Sequence, residues 1–269
     1  MAGLPRSGST LLSAILNQNP DIEVTATTDT ISLMLALDST SQASQPFRAG
    51  FEPEGYRNVM ARVPHSFYSH INKPYIIDKN RNWGTPNHLK LANMITDNIK
   101  IIAPVRPILE ILASFVNLTE NDSNNFIDSL VSEYPVSEYR SKNDAKCDVL
   151  MAANRQIEKN TLSIASSLIP QHKDKFHFVA YADLVSKPER VVDAIYKFLD
   201  IPKFAHYYEN LRWELLPNES EVYGIPNLHK IRSKIGPSKT DISVLSDYVK
   251  QKYSHHLDFI FPNGIKDFV

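Results

Sequence analysis

The sequence predicts an α/β chain with a P-loop-like, three-layer fold, a central parallel β-sheet flanked by helices, and three observations carry that prediction. The stretch GLPRSGST, Gly3 to Thr10, has the G-x-x-x-x-G spacing of a phosphate-cradling loop and runs into Leu11, Leu12, Ile15 and Leu16 at helical spacing. IKIIAPV, Ile99 to Val105, is a short apolar run of the kind buried on both faces of a parallel sheet. Strand-like and helix-like segments then alternate, which is the order that βαβ units produce.

Each element follows from its residues. Only Met1 and Ala2 precede Gly3, so the strand leading into the loop is very short or begins upstream. The first helix ends at Pro20, which cannot continue it. Asp38 to Gln45, rich in Ser, Thr and Gln, reads as a surface loop, and Pro53 to Val63 as a helix. Tyr75 to Asp78 is a short buried strand ending at Lys79, and Thr85 with Pro86 caps and opens a helix to about Ile95. The strand 99–105 stops at Arg106 and Pro107, where Leu109, Leu112, Ala113 and Val116 mark the apolar face of the next helix. Leu150, Ala153, Ile157, Ile164 and Leu168 form one stripe, which predicts a single long helix from Asp144 to Leu168. Phe176 to Tyr181 alternates as a strand, followed by a helix from about Lys187 to Leu199. From about Phe204 the chain is irregular and Pro-rich until a helix from Asp241 to about Tyr253. No internal repeat is visible, so residues 1–269 are expected to form one domain.

Composition narrows the function. The formal net charge is −1, which gives no global attraction for nucleic acid or an anionic membrane. No apolar run is long enough to span a bilayer, and the amino terminus lacks a secretory signal pattern, so the expectation is a cytoplasmic protein. The single Cys147 excludes an internal disulfide framework and a Cys-rich zinc site. His255 and His256 are adjacent and diverge in regular structure, so they do not form a metal pair.

The chemistry is concentrated at the strand ends. In sheets of this kind ligands bind beyond the carboxyl ends of the strands. That rule gathers the opening loop, Lys79, Arg106 and Tyr181 on one rim. Free N–H groups at the start of the first helix, with the positive end of the helix dipole behind them, make an anion site. Ser9 stands where nucleotide triphosphatases place lysine, and the cation is instead Arg6, inside the loop. A guanidinium supplies a planar, always charged fork suited to phosphate. Read singly, the loop also fits an ordinary glycine turn with a Ser/Thr helix cap, and strand-end Arg and Lys also fit solvated or paired charges.

Taken together, these segments resemble the sulfotransferases that use 3′-phosphoadenosine 5′-phosphosulfate (PAPS). GLPRSGSTLLSAILNQNPDI is similar to the 5′-phosphosulfate loop and helix of the tyrosylprotein sulfotransferase branch and its bacterial relatives. Arg106 with Ser114, eight residues on, resembles the 3′-phosphate pair, and YADLVSKPERVVDAIYKFLDIP, from Tyr181, resembles the stretch whose tyrosine lies near the nucleotide. The likeness runs from Met1 to about Ser238. It implies sulfuryl transfer from PAPS to a small-molecule or peptide hydroxyl, or an amine, without a metal. It implies a donor site in which Ser7, Gly8, Ser9 and Thr10 offer backbone N–H groups and Arg6 its fork. Lys79 matches the catalytic lysine, and Tyr181 joins the nucleotide site. Composition and position suggest that the basic segment Asn227 to Ser238 closes over the nucleotide with His229, Lys230, Arg232 and Ser233, of which Arg232 and Ser233 are the preferred contacts.

The acceptor hydroxyl requires a base within hydrogen-bond reach. The related branch has Glu about twenty-one residues after the loop Arg, where this chain has Thr27, and an Arg twelve residues after the 3′-phosphate Arg, where this chain has Leu118. Asp29 is the first candidate base, followed by Glu23, His65 and His70. Peptide tyrosine is therefore not carried over as the acceptor. Trp83 could line the acceptor pocket or sit in the core. Two other functions stay open: a kinase-like NTP-using enzyme with a degenerate loop, and a nucleotide-binding module without catalysis.

Overall fold

The computed structural model describes residues 1–120, 125–133, 141–213, 218–225, 228–236, 240–266 and 268. It is a mixed α/β arrangement with parallel strands. β1 (Ile22–Thr27) pairs in parallel with β2 (Tyr75–Lys79), with Ile22 opposite Tyr75, Val24 opposite Ile77 and a register slip before Thr27 meets Lys79. β3 (Ile101–Val105) pairs in parallel with β4 (Phe176–Ala180), from Ile101 opposite Phe176 to Val105 opposite Ala180.

Met1 to Leu4 thread between these two pairs. The Met1 nitrogen donates to the Asp78 carbonyl, and the Met1 carbonyl accepts from Asn80. On the other side the N–H groups of Ala2 and Leu4 donate to the carbonyls of Ile102 and Pro104. Alternate residues bonding in step is the parallel ladder. The short segment before the loop thus does the work of an inner strand, and Pro104, which has no N–H, still serves as an acceptor.

The helices follow in chain order: α1 (Ser9–Leu16), α2 (Thr30–Ala43), α3 (Gln45–Ala49), α4 (Pro53–Phe67), α5 (Pro86–Ile95), α6 (Ile108–Leu118), α7 (Phe126–Ser132), α8 (Lys142–Met151), α9 (Gln156–Ala165), α10 (Tyr181–Ser186), α11 (Pro188–Leu199), α12 (Glu219–Tyr223) and α13 (Asp247–Tyr253). All five residues of β3 are buried. Ile101, Ala103 and Val105 join one apolar cluster with residues of α5, α6, α8 and α13, whereas Ile102 joins another with α1 and α11. Successive strand side chains point to opposite faces, so the alternation assigns the two clusters to the two sides of β3.

The structure corrects the sequence reading at several places, one of them the helix expected from Asp241, which begins only at Asp247 after a 3₁₀ turn at Ile242–Val244. β1 was not anticipated, because its only buried apolar pair, Ile22 and Val24, is a very short signal between Pro20 and a polar TTDT run. Asp38 to Ala43 is helical rather than a loop: Thr30, Ile31 and Met34 bury the first half of α2, and its polar second half continues the helix along the surface. The expected helix from Asp144 to Leu168 is two helices, broken at Ala152–Arg155, where Asn154 adopts φ 62°. Asparagine tolerates that left-handed conformation, and Leu150, Ile157 and Ile164 join one apolar cluster from either side of the break, whereas Ala153 and Leu168 of the expected stripe are exposed. Tyr181 opens α10 instead of ending β4.

Candidate functional site

The opening loop is shaped by two close approaches. Gly3, at φ 97°, lies against β3, where a Cβ would sit 2.3 Å from the Pro104 carbonyl oxygen. Gly8, at φ 87°, is the residue before α1, and a Cβ there would lie 2.7 Å from the Tyr181 ring. Both positions therefore require glycine. Ser7 is buried, and its hydroxyl donates to the backbone, within reach of the Leu4 carbonyl at 2.5 Å and the Pro104 carbonyl at 2.9 Å. Arg6 has φ 56°, so the loop turns left-handed at a residue with a side chain. Its Nε donates to the Ser114 hydroxyl at 3.1 Å, and its terminal nitrogen to the Leu228 carbonyl at 2.5 Å.

Arg106 leaves the end of β3 and doubles back over the loop. Its guanidinium donates to the Arg6 carbonyl at 3.1 Å, to Glu110 at 2.8 Å and to the Thr240 hydroxyl, and lies 4.1 Å above the Tyr181 ring. Such a stacked cation contributes roughly 0.5–2 kcal/mol. Arg6, Arg106, Ser114, Tyr181 and Gly8 thus form one connected group although they come from four segments of the chain.

This group lines a cavity of about 500 Å³, together with Ser9, Thr10, Thr27, Arg81, His229 and Arg232. The crowding of cations is visible in their titration. Burial, then the neighbouring Arg81 and Arg106, pushes Arg6 down to about 10. Burial also lowers Arg81, whose Nε is buried without a hydrogen-bond partner. Lys79 is 3% exposed at the end of β2, with Nζ 3.4 Å from the Thr10 hydroxyl and 5.4 Å from the Trp213 ring. Desolvation first, and Arg81 second, pushes it down to about 7. Like charges held this close repel, and an anion in the cavity relieves the repulsion.

Most residues expected at the site are gathered here: Arg6, Gly8, Ser9, Thr10, Arg106, Ser114, Tyr181 and Arg232 line the cavity, and Lys79 adjoins it through Thr10. His229 and Lys230 also line it. Ser7 is turned into the loop instead, and Ser233 is exposed and outside the lining, its carbonyl accepting from the Leu211 N–H. Asn227, Pro237 and Ser238 of the basic segment lie outside the described residues.

The four candidate bases do not line the cavity. Asp29 precedes α2 and accepts a bond from the Ser32 hydroxyl at 2.5 Å. Glu23 is paired with Lys73 at 2.6 Å, and His65 and His70 are exposed. Trp83 is partly buried against the core, its Nε1 donating to Asp78 at 2.7 Å, and Asp78 also accepts from the hydroxyls of Thr28 and Tyr68. Sequence reasoning passed over Arg81, Trp213 and Glu219. Arg81 was open to discovery, two residues after Lys79 in DKNRNW; Trp213 and Glu219 carry no local signal.

The model of a family described as the sulfotransferase family matches residues 1–206. No curated protein matches the chain significantly. Among solved structures, the sulfotransferase domain of the Synechococcus PCC 7002 olefin synthase is similar in fold, with a TM-score of 0.50 and 18% identity over 95% of this chain and 92% of that one. The sulfotransferase domain from the curacin biosynthetic pathway has a TM-score of 0.47 at 14% identity over 100% of this chain and 95% of that one. A sulfotransferase from Mycobacterium avium has a TM-score of 0.49 at 13% identity over 96% of this chain and 75% of that one. No described helix is long and apolar enough to cross a membrane.

Proposed function

The chain belongs to the sulfotransferase family, and we propose that it moves a sulfuryl group from PAPS to a hydroxyl or amine acceptor by in-line transfer. The observation that carries this reading is the convergence of Arg6, Arg81, Arg106 and Arg232 on one cavity at the glycine-opened start of α1. A donor that carries both a phosphosulfate and a 3′-phosphate suits a cavity lined by several cations. The residues present fit both. Backbone N–H groups at the start of α1 and the Arg6 fork serve the phosphosulfate. Arg106 and Ser114, joined through Arg6, serve the 3′-phosphate, with Tyr181 beneath Arg106 as a flat support.

In-line transfer of this kind depends on positioning and charge neutralisation. Lys79, pushed down to about 7, neutralises the bridging oxygen as the nucleotide leaves, and its closeness to neutrality lets it supply a proton there. The same reading includes a single domain over residues 1–269 with a three-layer, P-loop-like arrangement, metal-free transfer, a cytoplasmic setting and a small-molecule or peptide acceptor.

Calorimetric titration with 3′,5′-ADP tests the donor. We expect micromolar or tighter binding, weakened about 10- to 100-fold by Arg106→Ala, the range for losing charge-assisted hydrogen bonds. Preferential binding of ATP with Mg²⁺ and a phosphorylated product would replace this reading with the kinase-like one. Against that alternative, Asp78 at the end of β2 is already engaged by Thr28, Tyr68 and Trp83. Transfer of ³⁵S from labelled PAPS to a panel of alcohols, phenols and amines separates an enzyme from a module that only binds the nucleotide.

A further inference from the structure

A histidine other than the four candidate bases lines the cavity, with a buried carboxylate bonded to it. Glu219, the first residue of α12, is 4% exposed. Its Oε1 pairs with Nδ1 of His229, and its Oε2 is buried with no hydrogen-bond partner. His229 lines the cavity beside Arg6 and Arg81. A carboxylate oxygen only accepts, so Nδ1 carries the hydrogen of that bond and Nε2 is left with its lone pair. Among the described residues Nε2 has no hydrogen-bond partner.

The geometry points to His229 as the catalytic base of the transfer, with Glu219 as the residue that positions it, an inference resting on the sulfuryl-transfer reading above. Both residues lie beyond the span 1–206 that the family model matches. The surroundings suit the task. The charged groups acting on the imidazole are Glu219, Lys79 and Arg81; burial is the largest influence and lowers its titration, the bond to Glu219 opposes this, and Lys79 and Arg81 lower it further. The net direction is downward, which keeps the ring neutral and able to accept a proton at neutral pH. Glu219 also acts on Lys79 and Arg6, so it stands between the base and the cations of the donor site. A buried carboxylate oxygen without a partner is unfavourable. Positive charge developing on His229 gives that carboxylate its counter-charge during the reaction.

His229 Nε2 takes the proton of the acceptor hydroxyl as that oxygen bonds to sulfur. The bond from sulfur to the 5′-phosphate oxygen breaks, its electron pair staying on the phosphate beside Lys79. The imidazolium, held by Glu219, then releases its proton to solvent.

The test uses the whole chain and labelled PAPS, with an acceptor panel that includes water, so that slow release of sulfate under excess enzyme also registers. His229→Ala and His229→Asn should each lower transfer about 100-fold or more, the contribution of a positioned general base. The Asn variant places an amide N–H near the position of Nδ1, where it can still donate to Glu219, and so guards against a simple loss of local folding. Glu219→Gln should lower kcat about tenfold or more, with KM little changed, and shift the acid limb of the pH–rate profile to lower pH. Binding of 3′,5′-ADP should weaken by less than about tenfold, a roughly 1.4 kcal/mol change, in all three variants, far less than transfer does. Wild-type rates in both His229 variants would overturn the proposal, as would an unchanged pH profile in Glu219→Gln. A wild-type chain that binds 3′,5′-ADP but transfers to nothing, water included, would overturn it too while sparing the donor site. Failure of the wild type to bind 3′,5′-ADP at all would instead overturn the sulfuryl-transfer reading beneath it.

Discussion

Replacing Gly8 with alanine perturbs the site through geometry alone. At φ 87° an L side chain is strained, and the new Cβ would lie 2.7 Å from the Tyr181 ring, on which the Arg106 guanidinium is stacked at 4.1 Å. The left-handed conformation costs roughly 1–2 kcal/mol for a residue with a Cβ. Displacing the ring from its rotamer costs roughly 0.5–1.5 kcal/mol more. Together these give a loss of about 2–3 kcal/mol and, for a chain of this size, a fall in Tm of about 4–10 °C. The displaced ring also withdraws the support under Arg106, so 3′,5′-ADP affinity should fall about fivefold or more, the equivalent of the roughly 1 kcal/mol stacking contribution. Gly50→Ala is the matched control: Gly50 has φ −115°, and a Cβ there meets only the Pro46 carbonyl oxygen at 3.6 Å. Differential scanning calorimetry and nucleotide titration of both variants decide the matter. A Gly8→Ala protein with the Tm and affinity of Gly50→Ala would refute the close packing of the loop on Tyr181.

Lys79 titrates about 7 in the folded protein against 10.5 ordinarily, so the unfolded chain holds more protons between those values and stability should rise with pH across that window, a rise that Lys79→Met flattens in denaturant titrations. Because a bound phosphosulfate or phosphate favours the charged lysine, 3′,5′-ADP binding near pH 8 should take up as much as one proton, measured by calorimetry in buffers of different ionisation enthalpy and abolished in Lys79→Met. Asp78→Ala leaves Tyr68, Thr28 and Trp83 without their shared acceptor; unfolding should become easier by about 1–3 kcal/mol, while 3′,5′-ADP affinity changes less than about threefold.

Legibility of the site in the sequence followed distance along the chain. The loop Gly3–Thr10 and the strand ends at Lys79 and Arg106 were readable, because a turn, a helix start and a strand end are each written in adjacent residues. The pairing of Arg106 with Ser114 came from the family resemblance, and the structure brings both to the cavity, Arg106 from just after β3 and Ser114 from α6. Asp29 looked like the nearest carboxylate to the loop only along the chain; in space it sits before α2, bonded to Ser32 and outside the cavity lining. Periodicity ran unbroken through Ala152–Arg155 although the helix did not, since Leu150 and Ile157 are buried in the same apolar cluster from two separate helices.

From its own residues, then, the sequence determined that a phosphate-cradling turn opens a helix and that cationic side chains stand at the ends of its strands. Only the tertiary structure decided which cations share the cavity and what faces them. Arg6 and Ser114 are separated by 108 residues and Arg106 and Thr240 by 134, yet each pair is hydrogen-bonded. The physical reason is burial. Lys79 is lowered toward neutrality, and the Glu219–His229 pair is shielded, by packing that brings distant segments together and excludes water, and neither effect is encoded in any local run of residues.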